Sequence, residues 1–265
     1  MHKGYIAFKL RQHGWSAAYV TLGVIAFAMV MLLAYSAFDM AEMIQAAQGG
    51  QDIMKAMAGA RGMLTWDTAA FLGIVWRHPL VLVLVIGYTI SLGGGFAAKE
   101  VSEKTADLVF ARPITRSRLL LLHLLVASGL LMAMTAALSL AVYLGSNILA
   151  LQPPSFLRFV QAGAQYFVFT LALLALAYLV GAVTTDAKAV LAILGGILAA
   201  MYAVELVGGL WAAFEPLLPL SLFTYLTPRS ALLGEPAALT DTLIMLSVAL
   251  AALTLTHVQM LRRDL

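Results

Sequence analysis

Residues 119–145 read LLLLHLLVASGLLMAMTAALSLAVYLG and contain no Asp, Glu, Lys or Arg. A helix needs about 20 consecutive, mainly apolar residues to cross the hydrocarbon core of a bilayer, and this stretch is long enough. Its apolar residues do not alternate with polar ones, as they do in the strands of a membrane barrel. The stretch therefore predicts a membrane-spanning helix.

The composition of the whole chain agrees with a membrane location. Of the 265 residues, 62% are hydrophobic and 11% are charged, whereas about 25% of the residues in an ordinary soluble domain are charged. So few charges cannot cover the surface of a water-soluble globule, and a soluble fold is excluded. The chain has no cysteine, which excludes disulfides, thiol nucleophiles and sulfur-ligated metals.

Charge-poor stretches on both sides of residues 119–145 predict five more spans. We therefore expect one all-α polytopic membrane domain over residues 1–265. The six predicted spans are residues 16–38, 79–98, 119–145, 161–182, 189–207 and 242–261.

Two flanking segments differ from plain loops. Residues 1–15 mix aromatic and basic side chains and predict an interfacial helix, although a frayed cationic leader fits the residues as well. Residues 208–241 are apolar but contain four prolines. Because broken backbone at membrane depth needs shelter from protein or a cavity, we expect a re-entrant outer segment before the last span.

The distribution of basic residues predicts the orientation. One side of the predicted bundle carries 11 of them and the other side carries 5. Because cytoplasmic loops are enriched in Lys and Arg, both termini are expected in the cytoplasm. The richer side has Lys3, Lys9, Arg11, Lys99, Lys104, Arg112, Arg116, Arg118, Lys188, Arg262 and Arg263, and the poorer side has Lys55, Arg61, Arg77, Arg158 and Arg229. Since these residues lie at span ends, they do not indicate a nucleic-acid partner.

Small residues line one face of the second and fifth predicted spans. Gly87, Ser91 and Gly95 recur every four residues, as do Gly195, Ala199 and Ala203. Such faces let helices approach closely, either within the chain or at a dimer or cavity face. Both uses stay open.

Ionisable groups inside the spans were weighed as functional candidates. Glu205 lies in an apolar run near the outer end of the fifth span, where it either serves transport or is wetted at the interface. His123 and His257 lack a His or acid three or four residues onward, so we expect them to meet headgroups or a neighbouring helix instead of a metal.

Three tryptophans and the polar residues of the spans were interpreted in the same way. Trp66, Trp76 and Trp211 are interpreted as markers of the outer interface. No nucleophile, base and orienting group can be assembled within the spans, so we do not expect an enzyme.

Residues 99–118, KEVSEKTADLVFARPITRSR, are the most highly charged connection in the chain. Residues 100–111 contain no Gly or Pro and predict a short amphipathic helix, which Pro113 ends. The residues alone fit a solvated, positively charged cytoplasmic loop equally well.

The same connection resembles a family signature. Residues 103–116, EKTADLVFARPITR, resemble the signature of the ABC-2 type permeases: Glu, Lys-Thr or Gly-Thr, an acidic residue, three apolar residues, then Pro, Val or Ile, Ser or Thr, and Arg. Residues 222–228 and 232–234 are similar to that family's outer segment, and residues 52–57 to its helix after the first span. The resemblance thus covers essentially the whole chain, with departures at Ala106 and Leu222.

The resemblance implies the permease subunit of an ABC exporter, with a type II exporter fold, in the bacterial plasma (inner) membrane. Its partners would be two copies of an ABC ATPase and a second copy of this chain or a homologous permease. ATP and Mg²⁺ would be bound by the ATPase and no cofactor by this chain. The second and fifth helices would lie near a central cavity. The ATPase-docking coupling helix would use Glu100, Glu103, Lys104, Thr105, Asp107, Leu108, Arg112, Pro113 and Arg116.

The absence of a phosphate-binding loop fits a separate ATPase. Residues 93–99, GGGFAAK, follow a predicted span and run into Glu100, so they do not form such a loop. The alternative, an ATP-independent carrier or channel, predicts paired charges within the membrane or an inverted repeat. Neither is evident in the sequence, and the substrate is not predicted beyond a preference of apolar spans for amphipathic compounds.

Overall fold

The computed structural model describes residues 2–37, 68–94, 96, 116–184 and 186–262. Gly95, Trp66 and the predicted coupling residues from Glu100 to Pro113 lie outside the described residues. Arg116 is the first residue of a helix.

The described chain is helical and contains no strand. Its α-helices are α1 (His2–Ala37), α2 (Thr68–Arg77), α3 (Pro79–Gly94), α4 (Arg116–Ile148), α5 (Phe156–Val183), α6 (Ala187–Gly208), α7 (Pro228–Leu233) and α8 (Pro236–Arg262). Two 3₁₀ helices, Ala212–Leu220 and Leu222–Tyr225, lie between α6 and α7.

Six stretches within the described residues are long and apolar enough to cross a membrane. The predicted fold class, an all-α protein with six membrane-spanning helices, is therefore confirmed. The stretches are Gly4–Ala37, Thr68–Gly94, Ser117–Ile148, Phe156–Val183, Ala187–Gly208 and Pro236–Arg262.

The first span differs from its predicted start. The sequence separated an interfacial segment at residues 1–15 from a span at 16–38, but α1 continues without a break from His2 to Ala37. No proline interrupts this range. Lys9 is buried, and its Nζ lies 5.9 Å from the centre of the Tyr5 ring and 5.8 Å from that of Phe8. These ring faces make the cation tolerable on the packed side of the helix.

The second span begins eleven residues before its predicted start, at Thr68 instead of Pro79. It consists of α2 and α3, which are separated at His78. Pro79 has no backbone N–H, so the hydrogen-bond ladder of α2 cannot continue through it. The next turn starts when the Leu82 N–H donates to the His78 carbonyl oxygen at 2.9 Å.

Helix α5 is the central element of the bundle. It packs against α3, α4, α7 and α8, while α1 packs against α4. Close contact with α3 depends on Gly93, because a Cβ there would lie 2.5 Å from the Ala177 Cβ. The helices thus approach at a distance that only glycine allows.

The segment between α6 and α8 forms short helices, of which the first is exposed except at Leu218, while the second packs onto the bundle, so the predicted shelter by protein is found only in part. Pro216 and Pro219 lie within the first 3₁₀ helix. Leu222, Phe223 and Leu226 are buried. We call residues 212–233 the outer segment below.

Candidate functional site in the second and fifth spans

A buried ion pair joins the second span to the fifth. Arg77, at the end of α2, donates from Nη2 to Glu205 Oε1 of α6 at 3.1 Å. Arg77 is 1% exposed and Glu205 is 7% exposed. The two opposite charges therefore compensate each other away from solvent.

The same two side chains hold the outer segment. Arg77 Nη1 donates to the carbonyl oxygens of Phe223, at 2.7 Å, and Leu226. Thr224 Oγ1 lies within hydrogen-bond distance of both Glu205 Oε2 and the Leu218 carbonyl oxygen, and its single proton serves one acceptor at a time. We call Arg77, Glu205 and Thr224 the outer clamp.

These positions correct two interpretations of the sequence. Trp76 was expected to mark the outer interface, and Arg77 was counted among outer loop residues, but both are fully buried within a span. The expectation that the spans lack paired charges is also wrong. An Arg followed by His and Pro looks like the end of a span, because the partner that neutralises it lies 128 residues away.

Of the two sequence interpretations of Glu205, the wetted one is wrong, and the role in transport stays a prediction. Glu205 is not wetted at the interface, since it is buried, and its oxygens are engaged by Arg77 and Thr224. A carboxylate with these partners is tied to the architecture of the C-terminal end of α6, the fifth span.

An apolar groove lies between α3 and α6 beside the outer clamp. Its volume is about 300 Å³. Gly87 of α3 and Gly195 and Ala199 of α6, three of the predicted small-face residues, line it. Ser91 is exposed and is not among its lining residues.

The shape of the groove depends on its glycines. A Cβ at Gly87 or Gly195 would have no atom within 4 Å, so these positions face open space. The described lining contains no charged side chain. Such a surface binds the apolar part of a molecule by excluding water or lipid and offers no counter-ion.

The groove and the outer clamp share residues. Tyr202 and Phe223 both line the groove, and their ring centres are 5.3 Å apart in an edge-to-face arrangement. The Phe223 carbonyl oxygen accepts a hydrogen bond from Arg77, and Tyr202 precedes Glu205 by three residues on α6. The clamp therefore positions the aromatic wall of the groove.

The histidine positions are separate from this groove. His123 is buried in α4, and its Nδ1 lies 2.6 Å from the Tyr178 hydroxyl of α5, which agrees with the predicted contact to a neighbouring helix. His257 is half-buried in α8. Within the described residues, no cluster of His, Asp and Glu has the geometry of a metal site.

Sequence reasoning missed Arg77, Thr224, Tyr202 and Phe223 as neighbours of Glu205. The lone Arg within residues 68–94, TAAFLGIVWRHPLVLVLVIGYTISLGG, was the available signal. An Arg between two apolar runs needs a buried acceptor, and Glu205 was the acid available within an apolar run.

Comparison with known proteins gives one family. The family model described as "Multidrug efflux system permease Rv1217c, C-terminal domain" matches residues 3–260. No curated protein and no solved structure matches the chain.

Proposed function

The chain belongs to the family of the C-terminal domain of the multidrug efflux system permease Rv1217c, and from that membership we propose that it is the membrane-spanning subunit of an ABC exporter. It is of the ABC-2 type and works as a dimer with a second copy or a homologous permease. Two separate ATPase subunits bind ATP and Mg²⁺, and this chain binds no cofactor. It lies in the bacterial inner membrane with both termini in the cytoplasm.

The resemblance of residues 103–116 to the ABC-2 signature supports the ATP-driven part of the proposal. These residues connect the second span to the third. In the proposed orientation they face the cytoplasm, where an ATPase is available to dock. In the proposed docking, the apolar side of the helix predicted for residues 100–111 enters a cleft in the partner, while its charges set the register of the contact.

The family description supports export, and the groove between α3 and α6 is the observation that supports an amphipathic substrate. Two glycines and an alanine open this groove, apolar side chains line it, and an aromatic pair forms part of its wall. We therefore assign it to the apolar part of an amphipathic compound. This assignment agrees with the efflux of several drugs named for the family, because apolar walls discriminate poorly between compounds of similar size.

In the proposed mechanism, transport results from movement of the helices that form the groove. When the ATPases close on ATP, they draw the two coupling segments together and move the second and third spans. The groove then changes its opening from the cytoplasmic to the outer side. Binding energy for the compound is lost on the outer side, so the compound is released.

The test fills the groove and measures ATP-dependent transport. The chain is purified together with its ATPase, placed in liposomes, and supplied with a fluorescent amphipathic cation or a neutral dye. Gly195→Leu places a side chain in the groove, whereas Gly196→Leu is the matched control, since Gly196 also faces open space but does not line the groove.

We expect Gly195→Leu to reduce transport about tenfold or more and to abolish stimulation of ATP hydrolysis by the compound. Gly196→Leu should retain both activities. Equal transport by the two variants would refute the groove as the pathway. Loss of basal hydrolysis in both would place the defect in ATPase assembly and would contradict our choice of site.

The buried Arg77–Glu205 pair favours a second candidate, an ATP-independent carrier. Charges within the membrane often belong to ion or proton pathways. Transport in the same liposomes without nucleotide, driven by an ion gradient, would support this candidate. We favour the exporter because each charge of the pair is engaged by the other and by the outer segment.

A further inference from the structure

A second cavity lies where α5 and α8 begin, at the end of the bundle predicted to face outside. Its volume is about 360 Å³, and it shares no lining residue with the groove between α3 and α6. Since α5 starts at Phe156 and α8 at Pro236, it lies where spanning helices leave the hydrocarbon and meet lipid headgroups. Its polar lining includes Arg158, Gln161, Gln165, Glu235 and Thr242.

Arg158 supplies an anion-binding group with unused capacity. Its Nη1 donates to Gln161 Oε1 at 2.9 Å, and its other N–H groups have no acceptor within the described residues. Gly234, with φ of +75°, makes room for the guanidinium, because a Cβ at this position would overlap it. The planar group is suited to binding two phosphate oxygens at once.

The side-chain carbonyl oxygen of Gln165 is a hydrogen-bond acceptor that no donor satisfies within the described residues. Gln165 is 2% exposed, and its Nε2 donates to Thr227 Oγ1 at 3.0 Å and to the Ala238 carbonyl oxygen at 3.3 Å. The carbonyl can only accept, which sets the orientation of the amide. Gln165 Oε1 is buried and has no partner within the described residues. A ligand that brings an N–H group would satisfy it.

The charge of the cavity favours a zwitterion over a simple anion. Glu235 is exposed at its edge and forms an ion pair with Arg229, but the Oε1–Nη1 distance of 4.0 Å is longer than a hydrogen bond, so the carboxylate oxygens can still accept an N–H donor. The lining thus carries one guanidinium, Arg158, and one carboxylate, Glu235. A ligand with both a phosphate and an ammonium complements both.

An apolar track leads from the cavity along α8. Leu239 lines the cavity, and Leu243, Leu246 and Leu250 follow on the same helix at intervals of three or four residues. All four are exposed. Residues at this spacing share one helix face, so an acyl chain can lie along it.

We propose that this cavity binds the headgroup of phosphatidylethanolamine. Its phosphate accepts hydrogen bonds from Arg158, its ammonium donates to Glu235 and Gln165, and its acyl chains lie along the leucine track. Phosphatidylcholine has the same charges but no N–H donor, and phosphatidylglycerol has a phosphate but no ammonium. The site therefore prefers phosphatidylethanolamine to both.

The test measures lipid binding to the full chain purified in detergent, by native mass spectrometry and by the shift in thermal unfolding midpoint. Each of the three phospholipids is added separately, and so is glycerophosphoethanolamine, which has the headgroup but no acyl chains. Arg158→Gln and Glu235→Gln are compared with Arg118→Gln, which removes an exposed charge at the other end of the bundle.

We expect phosphatidylethanolamine to bind the unmodified chain about tenfold more tightly than phosphatidylcholine. Arg158→Gln should weaken the binding of phosphatidylethanolamine about tenfold, Glu235→Gln should reduce the preference over phosphatidylcholine, of which Gln165 keeps a part, and Arg118→Gln should change neither. Equal binding of the three lipids, or equal loss with Arg118→Gln, would overturn the proposal. Equal affinity for glycerophosphoethanolamine would overturn its lipid part. None of these outcomes depends on transport.

Discussion

At the scale of single residues, the outer clamp explains how two charges are accommodated in a span. A charged side chain at membrane depth is costly unless it is paired, and Arg77 meets a carboxylate and two backbone carbonyl oxygens. Removing one partner leaves the other charge buried without compensation. The cost of a single substitution is therefore larger than the net stabilisation that the pair provides.

We predict that Glu205→Ala lowers the free energy of unfolding by about 3–5 kcal/mol, because Arg77 then stays buried without its carboxylate. Arg77→Met combined with Glu205→Met should cost less than the sum of the two single substitutions. Thermal or denaturant unfolding in lipid nanodiscs measures this. Glu215→Gln, an exposed acid of the outer segment, is the control and should stay within about 0.5 kcal/mol of the unmodified chain. Additive single effects would show that the pair is not coupled.

At the scale of elements, the close contact of α3 with α5 is set by the absence of a side chain. A residue larger than glycine at position 93 meets Ala177 and the Leu174 carbonyl oxygen, both on the central helix. Helix backbones cannot give way locally without separating along their length.

We therefore predict that Gly93→Leu lowers the thermal unfolding midpoint in detergent by several degrees and reduces the yield of folded protein. Gly129→Leu is the matched control within α4, because Gly129 is exposed and a Cβ there has no atom within 4 Å. That control should be neutral or slightly stabilising, since leucine favours helix more than glycine does. An unchanged midpoint for Gly93→Leu would contradict the described packing of α3 on α5.

The elements also show what the sequence can predict. For the fifth span, residues 189–207 were expected and Ala187–Gly208 is observed, since Asp186 accepts a hydrogen bond from the Lys188 N–H and caps the helix. That signal is local. The start of the second span at Thr68 depends on a charge pair across 128 residues, which local hydropathy does not contain.

The contacts of the candidate site were likewise predictable from the sequence only where they lie within one helix. Spacing within one helix predicted that Gly195 and Ala199 share a face, and both line the groove. The contact of Tyr202 with Phe223 depends on how the outer segment folds back, which four prolines indicate only in outline. The role of residues 100–113 in docking remains a prediction from resemblance.

At the scale of the whole molecule, alternation of six spans places the start of α4 and the start of α5 on opposite sides of the membrane. The basic residues divide 11 to 5 between these sides, which predicts cytoplasmic termini. Because the chain has no cysteine, single introduced cysteines report each side directly.

We predict that a membrane-impermeant thiol reagent labels Ser155→Cys, but not Ser117→Cys, in intact cells. Ser117 and Ser155 are both exposed at helix starts, so the two variants form a matched pair. In inside-out vesicles the pattern should reverse. Labelling of Ser117→Cys from outside would invert the topology and would move the groove's aromatic wall to the cytoplasmic side.

The outer clamp also bears on how the chain is made. Ribosomes produce Arg77 long before Glu205, which follows it by 128 residues. An Arg within an inserting helix costs at most about 2.5–3.5 kcal/mol, the value for the helix centre, and during that interval the carboxylate that pairs with Arg77 does not yet exist. The second span therefore enters the membrane with an uncompensated cation, and the pair forms only when the fifth span arrives. Packing of the second span is thus completed only after most of the chain has been synthesised.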